Sequence, residues 1–180
     1  VLLQGGHHPE LGIAWYEGLL RHLRSRFPGI NVHGFSPPEL THFAEIWKMP
    51  VAAILARFQA AGLGSVPGGG AEIFHPDVRS RICEHKADAT KWLEIHRTAH
   101  ALGLRTNCTM LYGHIENDFH RVDHLIRLRE LQDQTGGFDV FVPLRFQPAG
   151  RLSDLTAPTA VESLRVFAAS RLLLDNFPHI

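Results

Sequence analysis

Cysteine is nearly absent: Cys83 and Cys108 are the only two thiols in 180 residues. That excludes a disulfide scaffold and points to a reducing, cytoplasmic setting. Two thiols are also too few for an iron–sulfur cluster, which takes about three or four. Excess charge of either sign is missing, since 18 basic residues face 18 acidic ones. No basic field therefore calls for nucleic acid or anionic lipid. Apolar runs are short and interrupted, far below the roughly 20 residues of a membrane helix. No stretch has the basic start and apolar core of a signal peptide.

The rest is ordinary globular composition, 44% hydrophobic and 20% charged. It fits one domain, or part of a larger one, and residues 1–180 are read as a single unit. Glycine and proline gather at Gly5-Gly6, Pro37-Pro38, Pro67 to Gly70, Gly136-Gly137 and Pro148 to Gly150.

Apolar Val1-Leu2-Leu3 stops at Gln4-Gly5-Gly6, which reads as a buried strand ending in a loop. The chain opens inside this strand, so an internal piece of a longer protein is expected. A helix is predicted over 12–27, with Ile13, Trp15, Tyr16, Leu19, Leu20 and Leu23 inward and Glu17, Arg21, Arg24 and Arg26 outward. A second strand covers 30–35. Ser36 then caps a helix with prolines at its first positions, and Pro50 opens another. A weak third strand over 62–66 precedes Pro67-Gly68-Gly69-Gly70-Ala71-Glu72. Helices are predicted over 88–102, 117–134 and 157–174, the middle one with a stripe of Val122, Leu125, Ile126, Leu128 and Leu131. Strands are predicted over 105–112 and 138–144.

Strand–helix alternation means an α/β fold with a parallel sheet. Strands begin near residues 1, 30, 63, 105 and 138, a spacing that suits a (β/α) barrel. Five units cannot close an eight-stranded barrel, so the chain is an open sheet or a partial barrel of about five parallel βα units. In either, chemistry lies at the carboxyl ends of the strands. Those ends carry Gln4 to His8, His33 to Ser36, Ser65 to Glu72, Tyr112 to Glu116, and Leu144 to Gln147.

Three glycines at a strand end let backbone amides approach a ligand, and serve equally as a plain turn. Glu72 beside them suits a ribose hydroxyl or a base, or a helix-start carboxylate. His7, His8, His33 and His114 with Glu72 or Glu116 can be imagined around a divalent metal, as in a barrel hydrolase. His96 and His100, like His120 and His124, have helical spacing and read as surface histidines.

The stretch from Ala61 to Ile73, with its Gly64-Ser65-Val66-Pro67-Gly68-Gly69-Gly70-Ala71-Glu72, resembles the radical S-adenosylmethionine enzymes of the futalosine route to menaquinone. Their deazaflavin-synthase relatives share the pattern. Trp92 to His100, followed by Thr109 to Glu116, is most similar to the aminodeoxyfutalosine-forming branch, with the sister cyclase (cyclic dehypoxanthinyl futalosine synthase) second. Leu128 to Asp133, Thr135 to Phe138, Gln4-Gly5-Gly6, His33 to Ser36 and Asp175-Asn176 are shared by the whole group. The resemblance covers nearly the whole chain.

The resemblance implies a radical S-adenosylmethionine barrel, S-adenosylmethionine as cofactor, and a [4Fe-4S] cluster on a Cys-x3-Cys-x2-Cys loop. It further implies an electron donor such as flavodoxin or ferredoxin. The substrate it implies is the enolpyruvyl benzoate 3-[(1-carboxyvinyl)oxy]benzoate. No such cysteine loop occurs in these 180 residues, so the cluster ligands are expected outside the chain and the piece alone is expected to be inactive. Within it the implied cofactor contacts are Gln4, Gly5, Gly6, Ser65, Gly69, Gly70, Glu72, Arg79, Tyr112 and Gly113; no residue here is implied as a metal ligand. His7 stands where the group usually has Glu. Arg79 is a partner for the methionine carboxylate or a surface helix arginine. Glu72, His114 and Arg145 are the implied catalytic set, with His114 and Glu116 alternatively tying loops together. Gln147 joins Arg145 on the last strand end. A non-catalytic binding module and a histidine-metal hydrolase are the rival readings.

Overall fold

The computed structural model describes all 180 residues, the side chain of Arg151 excepted. Five strands appear: β1 (Leu2–Leu3), β2 (His33–Gly34), β3 (Ser65–Val66), β4 (Arg105–Tyr112) and β5 (Phe138–Arg145). Seven α-helices accompany them: α1 (Ile13–Arg26), α2 (Pro37–Trp47), α3 (Val51–Ala61), α4 (Pro76–Ile82), α5 (Ala89–Ala101), α6 (Asp118–Thr135) and α7 (Ala160–Leu173). The sheet runs β1-β2-β3-β4-β5, each pair parallel, in chain order.

Helices α1, α3, α5, α6 and α7 touch one another in succession. A doubly wound sheet would split them between two faces; this single row is the layout of a (β/α) barrel segment. On β4, Thr106, Cys108, Met110 and Tyr112 are buried, while Asn107 and Thr109 between them are half-buried. Cys108, Met110 and Tyr112 meet Trp92, Leu125, Leu128, Phe138 and Phe141 in one apolar cluster. A second cluster packs α1, α2 and α3 over β2 and β3 through Leu20, Phe35, Phe43, Ile54, Leu55 and Phe58.

Four expectations need correction. Trp15 is 51% exposed, whereas Glu17 is buried and bonds Arg57 of α3 and Arg21. Val122 and Ile126 face outward, and His124 takes the inner place on α6. His96 and His124 are fully buried, not surface residues. His124 is satisfied by the Phe74 amide and the Thr109 carbonyl and stacks on the Phe74 ring. Finally, α4 was not anticipated; Pro76 starts it, at a first-turn position where a missing amide costs nothing. Among the described residues no helix is long and apolar enough to cross a membrane.

Candidate functional site

The loops leaving β1, β2 and β3, with residues 85–87, line an open cavity of about 540 Å³. Gln4, Gly5, Ser36, Pro38, Gly69 and Gly70 line it, with His7, His42 and Lys86 around its mouth. The rings of His7 and His42 are stacked, 4.7 Å apart at 10°.

Local chemistry places each wall. Ser36 and Glu39 form a capping box at the start of α2: Glu39 Oε2 accepts from the Ser36 amide at 2.9 Å and from the Ser36 hydroxyl at 2.6 Å. Its other oxygen, Oε1, accepts from the Gly5 amide at 2.9 Å. One buried carboxylate therefore anchors the β1 loop to the helix that follows β2.

The glycine loop after β3 is held by its carbonyls. Thr109 Oγ1 donates to Gly68 O at 2.8 Å and Trp92 Nε1 to Gly69 O at 3.1 Å. The Arg79 guanidinium donates to the carbonyls of Gly70, Ala71, Ile73 and Ala87. The Leu111 amide takes Glu72 O at 3.0 Å. At its start, the Gly68 amide donates to Asn107 Oδ1. Gly70 has φ +80°, a conformation that needs glycine, and a Cβ there would strike Pro38. A Cβ on Gly69 would lie 2.9 Å from Gln4 Nε2, so the loop is bare where it faces the β1 loop.

Of the sequence-derived residues, Gln4, Gly5, Gly69 and Gly70 come together around this cavity. Gly6 lies in a neighbouring groove with Trp15 and Tyr16. Ser65 is on the sheet, bonded to Asn31 and His33. Glu72, with φ +44°, pairs with Lys86 Nζ at 2.6 Å, setting that lysine at the cavity mouth. Arg79 is neither a surface arginine nor free for an anion: it is 6% exposed and its donors go to loop carbonyls.

The β4 and β5 ends stand apart. The ring of Tyr112 is buried in the core. Gly113, at φ +90°, lies under Pro158, against which any Cβ would collide. Arg145 donates to the Pro158 carbonyl at 2.9 Å, so it braces that covering loop. Inside the β4 loop, His114 Nε2 meets Leu111 O at 3.0 Å and Nδ1 accepts from the Ile115 amide at 2.7 Å. Burial holds that imidazole below its ordinary pKa. Burial would raise the Glu116 carboxyl, but the Gly113 amide, His114 and Arg121 outweigh it and hold it below the usual range.

Sequence reasoning missed Glu39 as a site residue, although the Ser-x-x-Glu spacing was there to signal it. It also missed the Arg79 clamp, whose sequence shows only a helical arginine. Cys83 and Cys108 are both buried, and burial raises both thiols, Cys108 well above its ordinary value. Among the described residues no group of three histidine, cysteine or acidic side chains is placed to hold a metal ion.

No protein-family model matches the chain. It is 50% identical over 183 aligned residues to an aminodeoxyfutalosine synthase of Thermus thermophilus, covering 99% of this chain and 49% of that protein. It is 44% identical to a 5-amino-6-(D-ribitylamino)uracil–L-tyrosine 4-hydroxyphenyl transferase of Methanothermobacter thermautotrophicus, over 95% of this chain and 48% of that protein. It is 39% identical to a cyclic dehypoxanthine futalosine synthase of Streptomyces coelicolor, over 100% of this chain and 45% of that protein. The chain spans about half the length of the curated relatives it matches.

Proposed function

We propose that this chain, 50% identical to an aminodeoxyfutalosine synthase over 99% of its own residues and 49% of that protein, forms the S-adenosylmethionine-binding side of a radical enzyme of that kind. The proposed reaction joins the 5′-deoxyadenosyl part of S-adenosylmethionine to the enolpyruvyl double bond of 3-[(1-carboxyvinyl)oxy]benzoate, with methionine as the leaving part of the cofactor, and rearrangement with loss of the enolpyruvyl carboxyl carbon gives aminodeoxyfutalosine. The carrying observation is the meeting of two separate motifs. Gln4-Gly5 and Gly69-Gly70 share one cavity, and the bare α-carbon of Gly69 leaves a cradle that a methyl group would fill. Its size lies within the range of roughly 300–1,000 Å³ common to small-molecule sites.

The residues fit the organic cofactor. The Gln4 side chain offers both an acceptor and donors, and the clamped loop carbonyls leave the backbone of Gly69 and Gly70 fixed beside it. Lys86, balanced by Glu72, gives the mouth a cation for a carboxylate. Arg79, His114 and Arg145 act on this reading as braces of the loops, not as ligands. When bound beside a reduced cluster, S-adenosylmethionine supplies the 5′-deoxyadenosyl radical. The cluster itself does not fit these residues, because the two thiols are buried and 25 positions apart. Its ligands, and the docking of a flavodoxin or ferredoxin, belong on this reading to sequence outside the chain.

The test uses the full-length protein, reconstituted anaerobically with iron and sulfide. With S-adenosylmethionine and the enolpyruvyl benzoate it should release methionine and form aminodeoxyfutalosine. Methionine release with no such product, or no release at all, overturns the proposal.

A further inference from the structure

The sheet face away from the helices carries a hydrogen-bonded row outside the rim cavity. His33 of β2 and Ser65 of β3 are register partners. Both are half-buried, while the flanking Val32 and Val66 point into the helix-side core. His33 Nδ1 lies 2.7 Å from Ser65 Oγ, and Asn31 Nδ2 donates to the same oxygen at 2.9 Å. Gly64 makes room for Asn31, since a Cβ there would collide with the Asn31 carboxamide oxygen.

This chain of bonds has a direction. A hydroxyl that accepts from Asn31 still has its own proton to give, and in the tautomer proposed below it gives that proton to His33 Nδ1. A neutral imidazole accepting at Nδ1 carries its proton on Nε2. Burial holds His33 below its ordinary pKa, which keeps the ring neutral near pH 7. On the same face, Val140 and Val142 of β5 are half-buried and Leu144 is exposed. Between His33 and those valines stand Asn107 and Thr109 of β4, also half-buried, with the Asn107 side chain within hydrogen-bonding reach of the His33 ring, so the face runs from a polar row on β2–β4 to an apolar strip on β5.

We propose that His33 donates a hydrogen bond from Nε2–H to a carboxylate oxygen of an aromatic acid substrate, with Asn31 and Ser65 as positioning residues that fix its tautomer. This rests on the proposed synthase reading and deepens it. The apolar strip suits a benzene ring. A neutral donor suits a carboxylate that must be held without burying a second full charge.

Two measurements on the full-length protein test it. Long-range proton–nitrogen spectra of protein labelled with ¹⁵N-histidine, with His33 assigned by its loss in His33→Gln, should show the Nε2–H tautomer. In Ser65→Ala the ring should become a mixture of tautomers. In steady-state assays His33→Phe should raise KM for the enolpyruvyl benzoate at least tenfold and leave S-adenosylmethionine affinity unchanged. His33→Gln, which keeps an N–H donor, should recover much of that loss, and thermal midpoints show whether each variant is folded. An Nδ1–H tautomer in the unmodified protein, or a folded His33→Phe with unchanged KM, overturns the inference. Failure of the unmodified enzyme to release methionine would instead overturn the synthase reading. The tautomer spectrum would still decide whether Ser65 sets the ring.

Discussion

The Gly5 amide donates to Glu39 Oε1 at 2.9 Å across 34 positions of sequence, joining the β1 loop to the first turn of α2. The second oxygen of the same carboxylate closes the capping box with Ser36. A buried acceptor with three donors around it is costly to lose, because each orphaned donor is then left dry. Glu39→Ala should destabilise the fold by about 1–3 kcal/mol, with Glu39→Gln between it and the unmodified protein. Chemical denaturation measures both; an unchanged midpoint for Glu39→Ala would show that the capping bonds contribute nothing.

Arg79 decides between three roles by where its loss is felt. A surface arginine can be changed within about ±0.5 kcal/mol. A carboxylate ligand would lose cofactor affinity with the fold unharmed. The buried clamp described above predicts that Arg79→Ala costs more than about 2 kcal/mol, since charge-assisted hydrogen bonds are worth roughly 1.5–3 kcal/mol. Arg79→Lys should recover only part of this, because one ammonium cannot span carbonyls that a planar guanidinium spans. Unfolding free energies and S-adenosylmethionine affinities, measured on the same variants, separate the three.

Periodicity made β4 legible to the residue, because alternation along Arg105–Tyr112 carries through its β-branched and apolar positions. β2 and β3 shrank to two residues each: Phe35, at φ +63°, turns the chain away after Gly34, and Pro67, with no amide to give a ladder, follows Val66. Helix faces failed where a polar residue had a hidden partner: Glu17 found Arg57, and His124 found the Phe74 amide and the Thr109 carbonyl. Within the site, Gln4-Gly5 and Gly69-Gly70 were legible as motifs. The burial of Tyr112 and the covering of Gly113 by Pro158 depend on contacts between distant segments, which spacing does not encode.

Acid should unfold this chain through its buried histidines. Burial pushes His100 from 6.5 down to about 4 and His124 down to about 3, and pushes His96 well below 6.5. Below pH 6.5 the unfolded chain takes up protons that the folded one refuses, so stability falls with pH and levels only near pH 4 to 3. Denaturation midpoints should drop between pH 7.5 and pH 5. His96 has no hydrogen-bond partner for either ring nitrogen among the described residues. His96→Leu should therefore cost little at pH 7.5 and reduce the slope. An unchanged slope would mean that His96 titrates normally.

Glu72 is tied to Lys86, both partly exposed, so Glu72→Gln should change stability by no more than about 1 kcal/mol. It leaves Lys86 unbalanced at the cavity mouth. On the proposed reading the affinity for S-adenosylmethionine shifts measurably while the thermal midpoint hardly moves. A lowered midpoint with normal affinity would make Glu72 a purely structural partner of Lys86.

Gly69→Ala puts one methyl group into the proposed cofactor cradle, 2.9 Å from the end of a flexible glutamine side chain and at a backbone conformation alanine can adopt. The decisive measurement is S-adenosylmethionine binding by titration calorimetry to the reconstituted full-length protein, with and without this change. The account predicts binding by the unmodified protein, at least tenfold weaker binding by Gly69→Ala, and thermal midpoints within a few degrees of each other. Equal affinity in the two proteins would place the cofactor elsewhere and contradict the assignment of this cavity.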